Sequence, residues 1–387
     1  MRRHLLLLGS ICFLLLNQTS LAATAYTDVP WKKLKPSAMP IELHSIALEL
    51  QDYANAGDVY YIYYMLHAAH FNKRQKVQLQ ERLLKADNSL FNDAELTQIT
   101  QRLYASIETQ FPSLFSPQQT WKLVHHRKYK KRHFLLYRID NHEGAYDYVD
   151  FEFTLQQGKW LLIDWYTRST DTWMSAVFSR GFQLVYNAQQ HHNQASTALL
   201  NYLEQRDAQL IANFDALSAT YQEDPILQAS LMGFASKKAP ESVPAAYERL
   251  NRLAAPNKFL IFKLNHAYQE GDLAGALQLC DYLQDQLGGD SDLALLQAEI
   301  LYQRNDTKRA DKVIASAIRK HPESQQLIYT ALVLFAYYDK YPQAVLALDI
   351  LKQDFDVVLD AEALGQISGL EAFIESKEFM GWLASVD

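Results

Sequence analysis

Two aspartates and one arginine have the residue types and spacing best suited to acid–base chemistry in this sequence. Asp150 and Asp164 lie in neighbouring segments of alternating apolar and polar residues, and Arg138 lies in the segment before them. If a hairpin sets the two carboxylates opposite each other, their repulsion raises the pKa of one, which then suits a general acid. In a second interpretation, which we favour, Arg138 pairs with both carboxylates in an ion-pair network without a chemical role.

Basic residues crowd the first predicted turn, from Lys122 to His133. One interpretation is contact with an anionic surface, such as lipid headgroups, a surface polysaccharide or an acidic protein face. The other is a solvated turn whose like charges discourage pairing of sheet edges. We favour the turn because salt screens exposed charges beyond about 10 Å. The candidate contact residues are Arg127, Lys128, Lys130, Lys131 and Arg132.

The sequence lacks the short motifs that position common catalytic groups. It contains no GxSxG nucleophile turn, no glycine-rich phosphate loop, no HExxH and no paired CxxC. We therefore predict that the chain is not an enzyme and that it uses no cofactor and no metal ion.

The first 22 residues have the pattern of a cleavable secretory signal. Arg2 and Arg3 precede an apolar stretch from Leu5 to Leu16, and small residues end the segment at Ala22. Removal of residues 1–22 leaves 35 Lys and Arg against 44 Asp and Glu, a net charge of −9 that disfavours nucleic acid as a partner. It also leaves Cys280 as the single cysteine, which excludes a disulfide framework. We expect a periplasmic or secreted protein.

The spacing of apolar residues changes along the chain. Helical spacing from Ile41 to Ser116 gives way to a period of two, which predicts four strands. The predicted strands are Thr120 to His126, His133 to Asp140, Tyr146 to Leu155 and Lys159 to Thr167. From residue 190 onward the spacing is helical again.

The last predicted hairpin can be put in register from its two faces. A three-residue loop from Gln156 to Gly158 places Phe151 opposite Ile163, so that one face is wholly apolar. The same register sets Asp150 opposite Asp164. A two-residue loop would set Phe151 against Asp164, and we reject it for that reason.

Helices followed by an antiparallel meander predict an α+β domain over residues 23–185. In element order, residues from about 40 to about 170 are similar to the cone fold of the ketosteroid-isomerase-like superfamily. The resemblance implies a curved sheet whose apolar face is covered by the helices.

Residue types recur every 34 positions in the C-terminal half. Ala276, Ala310 and Ala344 share one frame, and a turn residue precedes each of them at Gly271, Asn305 and Asp339. These turn residues are of types that tolerate left-handed backbone. The positions expected to pack closely are Ala276, Ala298, Ala310, Ala317, Pro322 and Ala344.

This pattern resembles the tetratricopeptide repeat, whose unit is two antiparallel helices in about 34 residues. The resemblance implies an all-α solenoid over residues 190–387, with a concave surface that recognises another protein. We therefore predict an exported scaffold that binds another envelope protein or peptide. The alternative is a small-molecule-binding or hydrolytic module in the α+β domain, and contact with a membrane surface through the basic turn is a third hypothesis.

Overall fold

A computed structural model describes most of the chain. Its described residues are 29–31, 34–58, 60–84, 92–114, 119–140, 146–169, 171–190, 210–224, 239–253, 258–367 and 369–386, with a few short stretches between 197 and 235. The predicted signal at residues 1–22 lies outside them. The chain divides into two compact units, Met1–Lys263 and Leu264–Asp387, which we call the sheet unit and the helical unit.

The described residues contain a five-stranded antiparallel sheet with its strands in chain order. Helices α1 (Ile41–Asn55), α2 (Tyr60–Met65), α3 (Ala68–Leu84) and α4 (Asp93–Leu114) precede it. The strands are β1 (Thr120–Tyr129), β2 (Arg132–Asp140), β3 (Tyr146–Gln156), β4 (Lys159–Thr167) and β5 (Thr172–Trp173). The four predicted strands are confirmed. The short strand β5, which pairs Trp173 with Tyr166, was not predicted.

The predicted register of the β3–β4 hairpin is wrong. Its loop has two residues, Gln157 and Gly158, whose φ angles of 51° and 74° are typical of a tight hairpin turn. A bulge at Ile163 then shifts the pairing by one residue and places Phe151 opposite Trp165. The bulge therefore restores the apolar face that the two-residue loop alone would break.

One face of the sheet is apolar and packs against helices. Tyr137, Phe151 and Trp165 lie side by side on β2, β3 and β4 and are fully buried. Phe71 of α3 stacks on Trp165 with their ring centroids 6.2 Å apart. Burial of each large side chain contributes about 1.5–3 kcal/mol to stability, so this face holds α3 on the sheet.

The edges of the sheet are occupied along β1 and β4. The Asn55 side chain of α1 accepts from the Trp121 backbone N–H at 2.6 Å and donates to its carbonyl at 3.1 Å. The Gln51 side chain accepts the N–H two residues further along β1, at 2.6 Å. On the β4 side, the His67 backbone N–H donates to the Leu162 carbonyl at 2.8 Å. These bonds fix α1 and the start of α3 against the strands.

The core of the sheet unit continues into the helices after the sheet. Those helices are α5 (Met174–Gln190), α6 (Leu210–Asp215), α7 (Ala219–Gln222) and α8 (Val243–Leu253). Tyr202, Phe214 and Phe259 belong to the same cluster of buried side chains as Trp165. For this reason the division between compact units falls after Lys263, later than residue 190 where the apolar spacing changes.

The C-terminal half is mostly helical. Helix α9 (Leu260–Gln269) contains the division between the units. The following helices are α10 (Leu273–Leu287), α11 (Ser291–Gln303), α12 (Thr307–Lys320), α13 (Gln325–Tyr337), α14 (Tyr341–Phe355), α15 (Ala361–Gly365), α16 (Glu371–Ile374) and α17 (Lys377–Val386). None of the helices among the described residues is long and apolar enough to cross a bilayer.

Three turns of the helical unit share one backbone conformation. Gly271, Asn305 and Asp339 have φ angles of 73°, 61° and 57°, so the left-handed backbone expected from their residue types is present. The residue after each turn donates its N–H to a carbonyl five residues earlier, at 2.8, 2.9 and 2.7 Å. The same short connection therefore recurs every 34 residues.

The alanines at the repeat positions lie inside the helical unit. Ala276, Ala298, Ala310 and Ala344 are fully buried, and Ala317 is 5% exposed. Pro322 lies at an exposed position after the end of α12, so the prediction that it packs closely is wrong. Small buried side chains at these sites leave room for neighbouring helices to approach.

Replacing a buried repeat alanine should destabilise the protein. In Ala310→Leu, added methyl groups enter a fully buried site, and we expect the free energy of unfolding to fall by about 1–3 kcal/mol. Ala315→Leu on the exposed side of the same helix is the matched control and should change it little. Urea unfolding followed by circular dichroism measures both. Equal effects would contradict close packing at Ala310.

Candidate functional site

The second face of the sheet carries charged side chains that are buried or, at Arg132, half-buried, and we call them the polar network. It consists of Arg74, Arg127, Arg132, Asp150, Glu152, Asp164 and Arg168. Alternation along the strands places its carboxylates on the side opposite Phe151 and Trp165. The network therefore lies on the face of the sheet that was predicted to carry the polar residues.

Asp150 lies between two arginines. Arg127 of β1 donates to one carboxylate oxygen, and Arg168 donates to the other from Nε and Nη2 at 2.8 and 2.5 Å. Burial alone would raise the pKa of Asp150, but the two guanidinium groups lower it below its usual range. Asp150 is therefore held as a carboxylate and is unsuited to donate a proton.

Glu152 is held by arginines from two other elements. Arg74 of α3 donates to its two oxygens at 2.9 and 3.1 Å, and Arg132 of β2 donates to both at 2.5 and 2.8 Å. Burial alone would raise the pKa of Glu152, and these arginines lower it. The two bidentate contacts tie α3 and β2 to β3.

Asp164 shares Arg74 with Glu152. Its carboxylate accepts from Arg74 at 2.9 Å, from the Ser175 hydroxyl at 2.6 Å and from the Ser175 backbone N–H at 3.1 Å. Burial raises the pKa of Asp164, although Arg74 and Ser175 oppose the shift. Asp164 therefore links the start of α5 to β4.

Aromatic rings cover the arginines. The Trp31 ring lies 5.0 Å from the Arg127 guanidinium carbon and 4.0 Å from that of Arg168. Trp173 of β5 lies 5.0 Å from the guanidinium carbon of Arg74 and 5.5 Å from that of Arg132. Stacked rings exclude water from the ion pairs and strengthen them. The segment around Trp31 therefore forms part of the sheet unit's packed structure.

The predicted cluster of Arg138, Asp150 and Asp164 is not present as such. Asp150 pairs across the strands with Tyr166, while Asp164 lies opposite Glu152. Arg138 bonds Asp140 on its own strand, at 2.9 Å. The two-residue loop and the bulge at Ile163 together cause this difference, because each shifts β4 by one residue against β3 relative to the predicted register.

The predicted basic turn divides between the interior and the surface. Strand β1 continues to Tyr129, so Arg127 is fully buried rather than part of the turn, and Arg132 is bound to Glu152. Lys128, Lys130 and Lys131 remain exposed. The structure thus separates the five residues into two network arginines and three surface lysines.

Two histidines are buried together near the end of the first hairpin. His126 Nε2 lies 2.9 Å from His133 Nδ1, and His126 Nδ1 lies 3.1 Å from the Ser37 hydroxyl. Burial, His126 and nearby Lys128 lower the pKa of His133 to about 4. Burial also lowers the pKa of His126. At neutral pH the pair is uncharged and holds the segment at Ser37 on β1.

Sequence reasoning missed three parts of this face. Arg168 continues the alternation of Asp164 and Tyr166 by one more step, so the period of two could have found it. Arg74 lies in helix α3 and Trp31 precedes α1. No local pattern marks either of them as a partner of the sheet.

The geometry suits a structural network better than a reaction centre. Each of Asp150, Glu152 and Asp164 accepts hydrogen bonds from at least one buried arginine. No group of side chains with the spacing of a metal site occurs among the described residues. Comparisons of the chain with protein-family models, with curated proteins and with solved structures found no match.

Removing the Asp150 charge should destabilise the sheet unit strongly. Asp150→Asn removes the carboxylate charge that the buried Arg127 and Arg168 contact directly, and we expect a loss of about 3–5 kcal/mol in the free energy of unfolding. Asp140→Asn is the matched control, because Asp140 lies on the same sheet but is partly exposed beside Arg138. The loss of unfolding free energy in Asp140→Asn should stay under about 1 kcal/mol. Urea unfolding measures the loss of unfolding free energy in both variants. Similar losses would contradict a structural role for Asp150.

The folded protein should lose stability as the pH falls from about 6.5 to about 4. The pKa of His133 in the folded protein is about 4, so the unfolded chain binds more protons within this interval. In His133→Asn this contribution is absent, and the decline in stability should be shallower than in the wild type. His44→Asn, at an exposed position of α1, should follow the wild type. Unfolding curves across the interval measure the slopes, and parallel slopes for wild type and His133→Asn would contradict the prediction.

Proposed function

We propose that this chain is an exported, non-enzymatic protein that binds another protein through its helical unit, which resembles a tetratricopeptide-repeat solenoid. The observation that carries the proposal is the equivalence of the turns at Gly271, Asn305 and Asp339, together with the buried alanines that follow them. Helix pairs that repeat in this way bury their apolar sides against one another and leave an extended polar surface for a partner.

The sheet unit supports this division of roles. Its charged groups are bound to one another in the interior, and Trp31 and Trp173 cover the arginines. A network of this kind holds a fold together, whereas a catalytic acid needs access to a substrate. We infer that the sheet unit has a structural rather than a catalytic role. Export is inferred from the pattern of residues 1–22.

The alternative is that the sheet unit binds a small molecule or hydrolyses one. Asp147 favours it, because burial raises the pKa of its half-buried carboxyl to about 6, beside the Ser169 hydroxyl at 2.5 Å. Asp147→Asn should abolish any turnover or ligand response of the sheet unit if this alternative holds.

Site-directed crosslinking in intact cells tests the proposal. A photo-crosslinking residue replaces Gln303 of α11 or Leu346 of α14, both exposed in the helical unit, or Leu155, which is exposed on the sheet unit. We expect a discrete protein adduct from the helical positions, identified by mass spectrometry, and none from Leu155. Adducts from Leu155 alone, or from no position, would contradict binding through the helical unit.

A further inference from the structure

Three helices of the helical unit bring tyrosine rings around one carboxylate. Tyr268 of α9 donates its hydroxyl to Glu299 of α11 at 2.6 Å, and the Gln303 amide of α11 donates to the Tyr268 hydroxyl at 3.1 Å. Tyr338, directly after α13, interacts electrostatically with Glu299 and forms a side-chain hydrogen bond with Gln303. We call Tyr268, Glu299, Gln303, Tyr337 and Tyr338 the tyrosine–glutamate surface.

The rings of this surface are fixed by packing. Tyr338 stacks on buried Tyr302, with ring centroids 4.6 Å apart and planes 22° apart. Tyr302 is itself fixed by its hydroxyl bond to Asp311 at 2.5 Å. Tyr337 meets Tyr338 edge to face at 5.1 Å and is 59% exposed. Tyr302 therefore covers one face of the half-buried Tyr338 ring.

Glu299 carries a charge that the described residues do not balance. Its carboxylate is half-buried and accepts only from Tyr268 and, at 3.4 Å, from Gln303, which are both neutral. Within the part of the chain that the structure describes, no Lys or Arg forms an ion pair with it. Burial and the bond to Glu299 raise the pKa of Tyr268 to about 12, so its hydroxyl stays protonated and keeps donating.

The surroundings have the same sign. Residues 264–387 contain 9 Lys and Arg against 20 Asp and Glu, a net charge of −11. The net negative charge of the helical unit therefore favours a positively charged partner. The tyrosine–glutamate surface supplies a local contact for it.

We propose that the tyrosine–glutamate surface binds a basic segment of a partner protein by receiving a Lys or Arg side chain. The cationic group pairs with the Glu299 carboxylate, and the rings of Tyr337 and Tyr338 contact it through their faces. The Gln303 amide oxygen can accept a further hydrogen bond from the same group. This inference rests on the proposed function and names the chemistry of its partner.

Binding of a labelled oligolysine peptide to the intact mature chain, followed by fluorescence anisotropy at low and moderate salt, tests the inference. Wild-type protein should bind oligolysine and should not bind oligoglutamate of the same length. Glu299→Gln should weaken oligolysine binding about tenfold or more, because it removes the charge that the cation meets. Tyr338→Leu should weaken it as well, while Tyr338→Phe should preserve it.

The matched control is Asp285→Asn on the exposed side of α10. It changes the charge of the helical unit by the same amount as Glu299→Gln but lies outside the tyrosine–glutamate surface. Equal weakening by the two variants, or no binding of oligolysine to the wild type, would overturn the inference. Circular dichroism confirms that each variant is folded before binding is measured.

The crosslinking experiment separates this inference from the proposed function. If adducts form from the helical positions of wild type and Glu299→Gln alike, the helical unit binds a partner but not through the proposed cation contact. If no adduct forms from the helical positions, the proposed function fails, and oligolysine binding then reports only the local chemistry of the surface.

Discussion

The ion pairs around Asp150, Glu152 and Asp164 are the interactions on which the sheet unit depends. They join α3, strands β1 to β4 and the start of α5 within one network. A buried carboxylate without its arginine costs several kcal/mol, so each element that supplies a partner must be in place before the others are stable. The network therefore couples the helices on the sheet unit to the order of its strands. The same coupling leaves few of its charges available for contact with a ligand.

Local patterns along the chain were sufficient to predict strands and turns, but not their pairing. The four long strands followed from a period of two, and the left-handed turns at Asn305 and Asp339 followed from residue type. The hairpin register failed because a bulge at Ile163 compensates for the short loop, and no residue type marks a bulge. Strand pairing decides which charged side chains meet. The predicted cluster of Arg138, Asp150 and Asp164 was therefore wrong for the same reason as the register.

Long-range partners explain the rest of what the sequence could not predict. Arg74 lies 78 residues before Glu152, and only the folded chain brings them together. The helical unit is more predictable at its turns, because Gly271, Asn305 and Asp339 adopt one local backbone conformation that residue type alone indicates. Glu299 was still not singled out, since its significance comes from tyrosines on two other helices.

The side-chain amides of Gln51 and Asn55 have a consequence for how this protein can misfold. They occupy backbone groups of β1 that would otherwise be free to pair with a strand of another molecule. Detachment of α1 would uncover a row of donors and acceptors beside a sheet rich in aromatic residues, which is the template that amyloid-like assembly requires. The docking of α1 therefore protects this edge of the sheet from pairing with a strand of another chain.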